Sequence, residues 1–484
     1  MAGRAAVPGG ERMSSAIVVG SGPNGLSCAA ILAKRGVEVT VIEAETRIGG
    51  GTRSSELTVP GLLHDECSAT HPMAVTAPAA VELELERYGL SWAWPEVDLA
   101  HPLPGGSGNS GASFLRSIEA TAAGLGEAGE RWRRIFGSPA KSYEPLTADI
   151  YHPLPHVPRH PLRLARFGLP SAAPATLLAR ALGSEEAAAL WGGIAAHSYA
   201  ELHWPLSSAI GMALLCSGHT YGWPVAKGGS ASIASAYAGV IEERGGRIET
   251  GRRVRSLDEL PPADAVVLDL SPRLVLDLAG DRLPPRVARA YRRFKHGPGA
   301  FKLDLAVEGG VPWSYEPARR AGTVHVAGSF ARLAFAEREI NRGRMPEKPF
   351  VLVAQQYLAD PQRSRGDLHP VWAYAHVPNG YGGDATEAIL DQIQRFAPGF
   401  RDRIVATSTR TPAEVEAADA NFIGGDILGG ANTPVQLFAR PRATLVPYWT
   451  GISGVFICSA STPPGAGAHG ICGFNAAEAV LKTL

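Results

Sequence analysis

The amino-acid sequence predicts an α/β fold, and three observations near its N-terminus carry that prediction. A short apolar run, Ala16 to Val19, leads directly into a glycine-rich turn. Leucines and alanines then recur at helical spacing, and a second apolar run follows at Val37 to Ile42. Continuous apolar runs are typical of strands that are buried on both faces of a parallel sheet. Strand, helix and strand therefore form a βαβ unit.

The turn between the first strand and the helix carries the pattern G-x-G-x-x-G, with Gly20, Gly22 and Gly25 at its fixed positions. The first glycine permits a tight turn, the second lets a pyrophosphate approach the backbone, and the third lets the helix pack closely against the strand. The N-terminus of that helix favours phosphates because its backbone N–H groups are free. Glu43 ends the second strand roughly 20 residues later, where an acid binds ribose hydroxyls. This combination predicts a dinucleotide site.

A second glycine-rich loop, which contains Arg47 and Arg53, follows the acid directly. Backbone amides and a guanidinium in such a loop can bind a further stretch of phosphate or ribityl oxygens. A plain nicotinamide dehydrogenase does not need this loop, whereas an extended FAD does, so the sequence favours FAD. The residues predicted to contact the cofactor in the two loops are Gly20, Gly22, Pro23, Asn24, Gly25, Glu43, Ala44, Arg47, Gly50, Gly51, Thr52 and Arg53.

The C-terminal end supplies a third glycine-rich loop. A strand at 454–459 is followed by the loop Pro463 to Gly470 and by a final helix over 471–481. Together with GSGPNG and E-A-x-x-R-x-G-G-x-x-R-S near the N-terminus, this end resembles the flavoprotein superfamily of amine oxidases and phytoene desaturases. Two internal blocks, 296–313 and 424–438, are similar to bacterial phytoene dehydrogenase-like proteins. The resemblance covers nearly the whole chain.

The resemblance implies a Rossmann-type FAD-binding domain with an interleaved α+β substrate-binding domain. It also implies that the C-terminal helix points its N-terminus at the flavin ring, where it would stabilise the negative charge of reduced flavin. Val254, Ser459, Gly470 and Ile471 are added to the cofactor contacts on the same basis. The implied division is a flexible extension at 1–13, an FAD-binding domain from 14–75, 215–275 and 420–484, and a substrate-binding domain from 76–214 and 276–419.

Two departures from the family pattern bear on the substrate more than on the flavin. Pro463 stands where the family has a histidine, and Ala466 replaces the middle one of three glycines. Within the substrate-binding domain, segment 172–201 is predicted to be helical and fits either a cap over a lipophilic pocket or ordinary core packing. Segments 300–307 and 350–357 are predicted to be strands.

The expected chemistry is hydride transfer from a substrate to FAD. The sequence holds no second nucleotide fingerprint for NAD(P)H, so dioxygen or a quinone is the expected electron acceptor. His469, in the C-terminal loop, and His71 are the candidate catalytic residues, because histidine can move protons near neutral pH. Tyr199, His203 and Trp204 are weaker candidates. No metal site is expected, since none of the five cysteines forms a C-x-x-C pair.

The activity suggested by these features is the dehydrogenation of a lipophilic or secondary-metabolite substrate by a phytoene desaturase-like enzyme. Three alternatives stay open: an amine oxidase, a non-redox isomerase that uses reduced FAD, and a prenyl-lipid-binding escort protein. Escort proteins of the superfamily usually lose the nucleotide motifs. Both motifs are intact here, which favours an enzyme.

The composition limits the classes of partner and the cellular location that can be expected. Lysine and arginine number 46, as do aspartate and glutamate, so bulk charge does not attract nucleic acid. Residues 1–15 contain no apolar run of a secretory signal, and no stretch approaches the ~18 apolar residues of a membrane span. A cytoplasmic location is expected, with peripheral membrane contact and the oligomeric state left open.

Overall fold

The computed structural model describes residues 13–105, 110–153 and 156–484, so only Met13 of the predicted extension at 1–13 falls among them. The strands are β1 Ser15–Val19, β2 Glu38–Ile42, β3 Ser54–Ser55, β4 His64–Asp65, β5 Trp92–Ala93, β6 Val97–Leu103, β7 Ser110–Phe114, β8 Val225–Ala226, β9 Arg247–Glu249, β10 Ala265–Leu268, β11 Gly299–Glu308, β12 Ala321–Val326, β13 Val351–Ala354, β14 Leu368–Val377, β15 Ile404–Arg410 and β16 Val455–Ile457. The helices are α1 Pro23–Lys34, α2 Pro78–Glu82, α3 Ile118–Gly124, α4 Ala128–Lys141, α5 Tyr143–Ile150, α6 Pro161–Ala172, α7 Ala175–Leu182, α8 Glu185–Ala196, α9 Ala209–Tyr221, α10 Ala231–Glu243, α11 Pro272–Ala279, α12 Pro285–Arg293, α13 Phe330–Asn341, α14 Thr386–Phe396, α15 Pro412–Ala418, α16 Pro434–Phe438 and α17 Ile471–Leu481.

The first of the two main sheets has five parallel strands in the order β16-β10-β1-β2-β9. β1 lies at its centre, where Val18 pairs with Val41 of β2 and with Val267 of β10. All three valines are fully buried, as the apolar runs in the sequence predict. The βαβ unit is β1-α1-β2, and the Rossmann-type fold is confirmed.

Helix α1 is packed between α10 and α17. Its residues from 24 to 33 are all buried, and most of them are small. A Cβ atom on Gly473 of α17 would lie 1.8 Å from the carbonyl oxygen of Asn24. Only glycine at this position therefore lets the C-terminal helix approach the helix that follows the G-x-G-x-x-G turn.

The second sheet has seven strands in the order β15-β11-β14-β13-β12-β6-β7. Neighbouring strands are antiparallel except β6 and β12, which are parallel. Alternate residues of β14 point to opposite faces, as in any strand. Trp372 and Tyr374 pack with the layer formed by helices α4 to α9, whereas Val371 and Ala373 pack with α14. The sheet thus presents two aromatic side chains to the helical layer.

The predicted elements match the structure with one exception. The final helix is α17, and the strand predicted at 300–307 lies within β11. The strand predicted at 350–357 is only half correct, because β13 ends at Ala354 and a short 3₁₀ turn follows at Gln356–Leu358. The chain turns there because the buried side-chain amide of Gln355 donates to the carbonyl oxygens of Ala318 and Ala321.

Segment 172–201 is helical, as predicted, and forms α7 and α8. Residues 187–196 of α8 are all buried. Phe330 and His325 pack so close to this helix that side chains at Gly192 and Gly193 would collide with them. Helix α8 is therefore a core helix, and the cap interpretation does not apply to it.

The two sheets draw on different stretches of the chain. Every strand of the five-stranded sheet falls within 14–75, 215–275 and 420–484, and every strand of the seven-stranded sheet falls within 76–214 and 276–419. The domain boundaries themselves stay a prediction. In the part of the chain that the structure describes, no helix is both long enough and apolar enough to span a bilayer.

Candidate active site

A cavity of about 290 Å³ opens at the carboxyl ends of β1, β2 and β10. Ligands of open α/β sheets bind at this edge. We call this cavity the nucleotide cavity. The residues that line it include Gly20, Gly22, Glu43, Ala44, Gly50, Arg53, Val254 and Asp269. The structure therefore brings together residues from the first two predicted loops and from the segment after β9.

The glycine turn has the geometry that the sequence pattern predicts. Gly20 has a φ of +100°, and its N–H donates to the carbonyl oxygen of Ile42 at 2.8 Å. A Cβ atom on Gly25 would lie only 2.2 Å from the carbonyl oxygen of Gly20. Gly22 precedes Pro23, the first residue of α1, so the free N-terminus of the helix faces the cavity.

Glu43 is held in one orientation at the end of β2. Its Oε2 accepts hydrogen bonds from the backbone N–H of Ser21 at 2.8 Å and from the Ser21 hydroxyl at 2.5 Å. Its Oε1 accepts from the N–H of Glu45 at 2.8 Å, and the guanidinium of Arg53 lies 3.8 Å away. These contacts fix the carboxylate where a nucleotide ribose would meet it.

Two acids stand beside the glycine turn, Asp269 buried and Asp419 partly buried. Asp269 follows β10, and its Oδ2 accepts the N–H of Gly25 at 2.9 Å, so it satisfies a free donor at the start of α1. Asp419 lies across the cavity and would be 3.1 Å from a Cβ atom on Gly50. Burial raises the pKa of Asp269 to about 7 and that of Asp419 to about 6. Both carboxyls therefore titrate near neutral pH.

We expect dinucleotide affinity to depend on pH through Asp269. Below its pKa the acid is neutral and does not oppose a pyrophosphate, whereas above it a third negative charge joins Asp419 and Glu43 at the cavity. The dissociation constant of FAD from the apoprotein should therefore rise several-fold between about pH 6 and about pH 8. Fluorescence titration of FAD at each pH measures this.

The variant Asp269→Asn should flatten that pH profile and bind FAD most tightly, relative to the natural protein, at the alkaline end. Asp281→Asn is the control, because Asp281 is exposed and lines neither cavity. An unchanged pH profile in Asp269→Asn would contradict the expectation.

A larger cavity of about 430 Å³ shares Gly22, Asp269, Asp419 and Asn421 with the nucleotide cavity. One side of this large cavity is polar and is built by the loops at Pro23, Asn24, Gly51, Thr52, Ser459 and His469. The other side is apolar and includes Ile150, Phe167, Ile210, Ala213 and Leu214 from helices α5, α6 and α9. The two cavities form one continuous site with a polar end and an apolar end.

An aromatic wall closes the large cavity on the side of β14. Tyr199 and Tyr374 stack with ring centroids 6.2 Å apart, and Trp372 lies beside them. Tyr199 has a φ of +53°, a strained conformation for a residue with a side chain. It is fixed there by stacking at 3.7 Å on His376, whose Nδ1 lies 2.7 Å from the buried carboxylate of Glu337.

The two candidate catalytic histidines lie in different surroundings. His469 lines the large cavity, and its Nδ1 accepts the N–H of Ile471 at 3.0 Å. His71 lies outside the walls of both cavities and contacts the hydroxyl of Ser230 at 3.1 Å. Burial lowers the pKa of each histidine to about 4, so both are neutral at physiological pH. Their catalytic roles stay a prediction.

Four predicted cofactor residues, namely Gly25, Arg47, Gly470 and Ile471, line neither cavity. Arg47 points to the surface, where its guanidinium pairs with Glu66 at 2.5 Å. Gly470 has a φ of +67° and precedes α17, where a side chain would collide with Ser27. Ile471 is fully buried in a small apolar cluster. Of the weaker candidates, His203 pairs with Glu201 at 3.5 Å, and neither it nor Trp204 lines a cavity.

The structure adds wall residues that the sequence analysis did not name. In the β14 sequence V-W-A-Y-A-H-V, aromatic side chains alternate with small aliphatic ones. This alternation indicates an aromatic face at Trp372 and Tyr374. His197 follows α8, and its Nε2 lies 3.1 Å from that of His325. The added residues are Asp269, Asp419, His197, Trp372, Tyr374 and Arg440.

Comparison with known proteins supports the same fold. Residues 18–80 match the family described as NAD(P)-binding Rossmann-like domain. The mouse (Mus musculus) pyridine nucleotide-disulfide oxidoreductase domain-containing protein 2 is 23% identical, over 97% of this chain and 93% of that protein. An uncharacterized protein of Mycobacterium tuberculosis is 25% identical, over 98% of each. These findings indicate an oxidoreductase.

Solved structures agree with this oxidoreductase fold. An oxidoreductase from Methanosarcina mazei superposes with a TM-score of 0.62 at 16% identity, over 97% of this chain and 100% of that one. Putrescine oxidase bound to putrescine has a TM-score of 0.60 at 15% identity, over 97% and 99%. Cyclohexylamine oxidase from Brevibacterium oxydans has a TM-score of 0.57 at 17% identity, over 97% and 99%. At these identities the similarity establishes the fold.

Proposed function

We propose that the protein is an FAD-dependent oxidoreductase that dehydrogenates a lipophilic substrate. The observation that carries this proposal is the continuous site with one polar and one apolar end. A dinucleotide at the polar end would extend from the glycine turn into the large cavity, and an apolar substrate would fill the rest. Phytoene desaturase-like chemistry, suggested by the sequence resemblance, is one form of such a reaction.

The residues of the site fit FAD. Gly20, Gly22 and Glu43 would hold the adenosine and pyrophosphate part, and Gly51 and Ser459 would meet the ribityl and flavin part. Asn24 provides an independent indication, because its side-chain Oδ1 is buried, lines the large cavity and has no hydrogen-bond partner among the described residues. An unpartnered buried acceptor is costly, so a donor supplied by a ligand would stabilise it.

Bound FAD would accept a hydride from a substrate C–H bond. The apolar helices α6 and α9 exclude water from the large cavity, and the substrate is held against the aromatic wall. His469 and His197 are neutral, because burial lowers the pKa of His469 to about 4 and that of His197 to about 3. They can donate or accept one hydrogen bond without adding charge. Positioning therefore supplies most of the catalysis, and dioxygen or a quinone is the proposed electron acceptor.

Amine oxidation is the second candidate, and the aromatic wall favours it. The stacked Tyr199 and Tyr374 offer π faces, which attract cations such as alkylammonium groups. Two of the similar structures are a putrescine oxidase and a cyclohexylamine oxidase by description. The Trp372 ring already faces a cation, the buried ammonium of Lys302 at 5.7 Å, which pairs with Asp304. We therefore rank this activity below dehydrogenation.

The test is reconstitution of the purified chain with FAD, followed by photoreduction and exposure to air. We expect the oxidised flavin spectrum to bleach in light and to recover in air or on addition of a quinone. Turnover of n-alkyl amines and of isoprenoid hydrocarbons then separates the two candidates. A chain that stays colourless with excess FAD would exclude both and favour the lipid-escort alternative.

A further inference from the structure

A buried arginine, Arg440, lines the large cavity without an acid beside it. Its side chain is 4% exposed. Its Nη2 donates to the Oδ1 of Asn432 at 2.8 Å, and its Nε is buried with no hydrogen-bond partner among the described residues. Burial lowers the pKa of the guanidinium, but an arginine stays charged in proteins. The cavity wall therefore contains an unneutralised cation.

The other buried arginines of the chain are neutralised. Arg363 pairs with Asp65 at 2.6 Å and with Asp360 at 3.1 Å, and Arg53 has Glu43 at 3.8 Å. Across residues 13–105, 110–153 and 156–484, Arg440 has no carboxylate within 4 Å. Since an unpaired buried charge costs several kcal/mol, the exception calls for an anion from outside the chain.

The nearest attractive acid is already engaged. The carboxylate of Asp426 attracts the Arg440 guanidinium only at longer range. Its oxygens accept the backbone N–H groups of Gly297 at 2.8 Å and Leu428 at 3.0 Å, and His296 lies 3.4 Å away. Asp426 therefore stabilises the loop around it and leaves the guanidinium without a partner.

Asn432 orients the guanidinium for a ligand. Its Nδ2 donates to the carbonyl oxygen of Ser198 at 2.9 Å while its Oδ1 accepts from Arg440. On the opposite side the guanidinium packs against Gly465, where a Cβ atom would lie 2.6 Å from Nη1. The Asn432 amide therefore fixes the orientation of the Arg440 guanidinium but adds no charge. A planar fork held in this way matches a carboxylate, which it binds through two parallel hydrogen bonds.

The wall of the large cavity that contains Arg440 also carries apolar side chains from nearby in the sequence. These are Leu437 and Phe438 of α16 and Ile427 and Leu428 of the preceding loop. A ligand that satisfies both features has an apolar body and one anionic group. Hydrocarbons and simple amines lack the second feature.

We propose that Arg440 binds the carboxylate of an amphipathic substrate, so that the large cavity takes apolar carboxylic acids. This inference rests on the proposed function and names the substrate class of the same site. It makes Arg440 a substrate-binding residue and Asn432 the residue that positions it.

The test uses the FAD-loaded protein and decanoate as the probe, with decanol as the neutral analogue. Binding is measured by the change in flavin absorbance and by the shift in the thermal unfolding midpoint. We expect decanoate to bind and decanol to bind at least tenfold more weakly. Arg440→Gln should weaken decanoate about 30-fold or more, the loss typical of one partner of a buried charge pair, and leave decanol unchanged.

Two further variants separate binding from folding. Arg440→Lys keeps the charge without the fork and should bind decanoate with intermediate affinity. Asn432→Asp supplies an internal carboxylate, and we expect it to abolish decanoate binding while raising the thermal midpoint of the unliganded protein. Arg442→Gln is the matched control, because Arg442 donates to the carbonyl oxygen of Trp449 and lines neither cavity.

Several results would overturn the inference. Equal affinity for decanoate in Arg440→Gln and in the natural chain is one, and equal affinity for decanol and decanoate is another. A third is a lower flavin reduction potential in Arg440→Gln with decanoate affinity retained, which would assign the guanidinium to reduced flavin. If the chain takes up no FAD, the proposed function fails, and the decanoate shift in thermal midpoint still tests the anion site.

Discussion

Replacing Gly25 by alanine is expected to remove the ability of the chain to retain FAD. The new Cβ atom would lie 2.2 Å from the carbonyl oxygen of Gly20 and 3.0 Å from Asp269. The first of these is a backbone atom of the turn itself, so the collision cannot be relieved by rotating a side chain. Helix α1 must move away from β1, and its N-terminus then no longer faces the nucleotide cavity.

We expect the dissociation constant of FAD to rise about 5- to 150-fold, because overpacking of this kind costs about 1–3 kcal/mol. Equilibrium dialysis and the flavin content of the purified protein measure it. Gly124→Ala is the matched control, since no atom lies within 4 Å of a Cβ atom there. Retention of FAD by Gly25→Ala at the level of the control would show that the cofactor does not rely on this turn.

Replacing Asp65 by alanine is expected to destabilise the fold by about 3–5 kcal/mol, the usual cost of removing one partner of a buried ion pair. Asp65 and Arg363 are both almost fully buried and 2.6 Å apart. Asp65 also accepts hydrogen bonds from the N–H of Ser230 at 2.7 Å and the hydroxyl of Ser54 at 2.8 Å. The N–H of Ser230 and the hydroxyl of Ser54 would lose this acceptor, and Asp360, at 3.1 Å, would be the only carboxylate left beside Arg363 among the described residues.

The loss should depend on pH in a defined direction. Burial raises the pKa of Asp65, but the Arg363 guanidinium together with the hydrogen bonds from Ser230 and Ser54 outweighs it and holds that pKa below the usual value of 3.8. A carboxyl with a depressed pKa contributes its full stability above the unfolded pKa and loses it as the pH falls through the folded one. The difference in free energy of unfolding between the natural chain and Asp65→Ala should therefore be complete at neutral pH and shrink in acid.

Urea unfolding at several pH values measures this difference. Asp367→Ala is the control, because the Asp367 side chain is 78% exposed and lies 3.5 Å from His369, its one ion-pair neighbour among the described residues. The control should change the free energy of unfolding by less than about 1 kcal/mol. If Asp65→Ala lowers the free energy of unfolding no more than the control does, the ion pair between Asp65 and Arg363 makes no net contribution to stability.

The N-terminal part of the site could be predicted because local chemistry determines it. The turn at Gly20 needs a positive φ, and the close approach at Gly25 excludes a side chain. The spacing of these glycines therefore indicates the conformation of the backbone directly. Such constraints act over a few residues and are visible in a single sequence.

The rest of the site is made by contacts between distant segments. Asp269 reaches Gly25, 244 positions earlier in the chain, and Asn432 reaches Ser198, 234 positions earlier. No local pattern marks such partners. Arg47 is the converse case: its motif predicts a cofactor contact, whereas its half-exposed guanidinium pairs with Glu66 at 2.5 Å. A charged side chain follows its nearest opposite charge, which the sequence alone does not reveal.

The crossing of α1 and α17 has a consequence for biosynthesis. Helix α1 packs against α17 (Ile471–Leu481), and the edge strand β16 (Val455–Ile457) belongs to the same sheet as β1, so both elements are synthesised long after α1 itself. A nascent chain therefore carries α1 without this covering helix while the intervening segments are translated. A chain truncated before Gly473 would expose the apolar flank of α1 to the quality-control machinery.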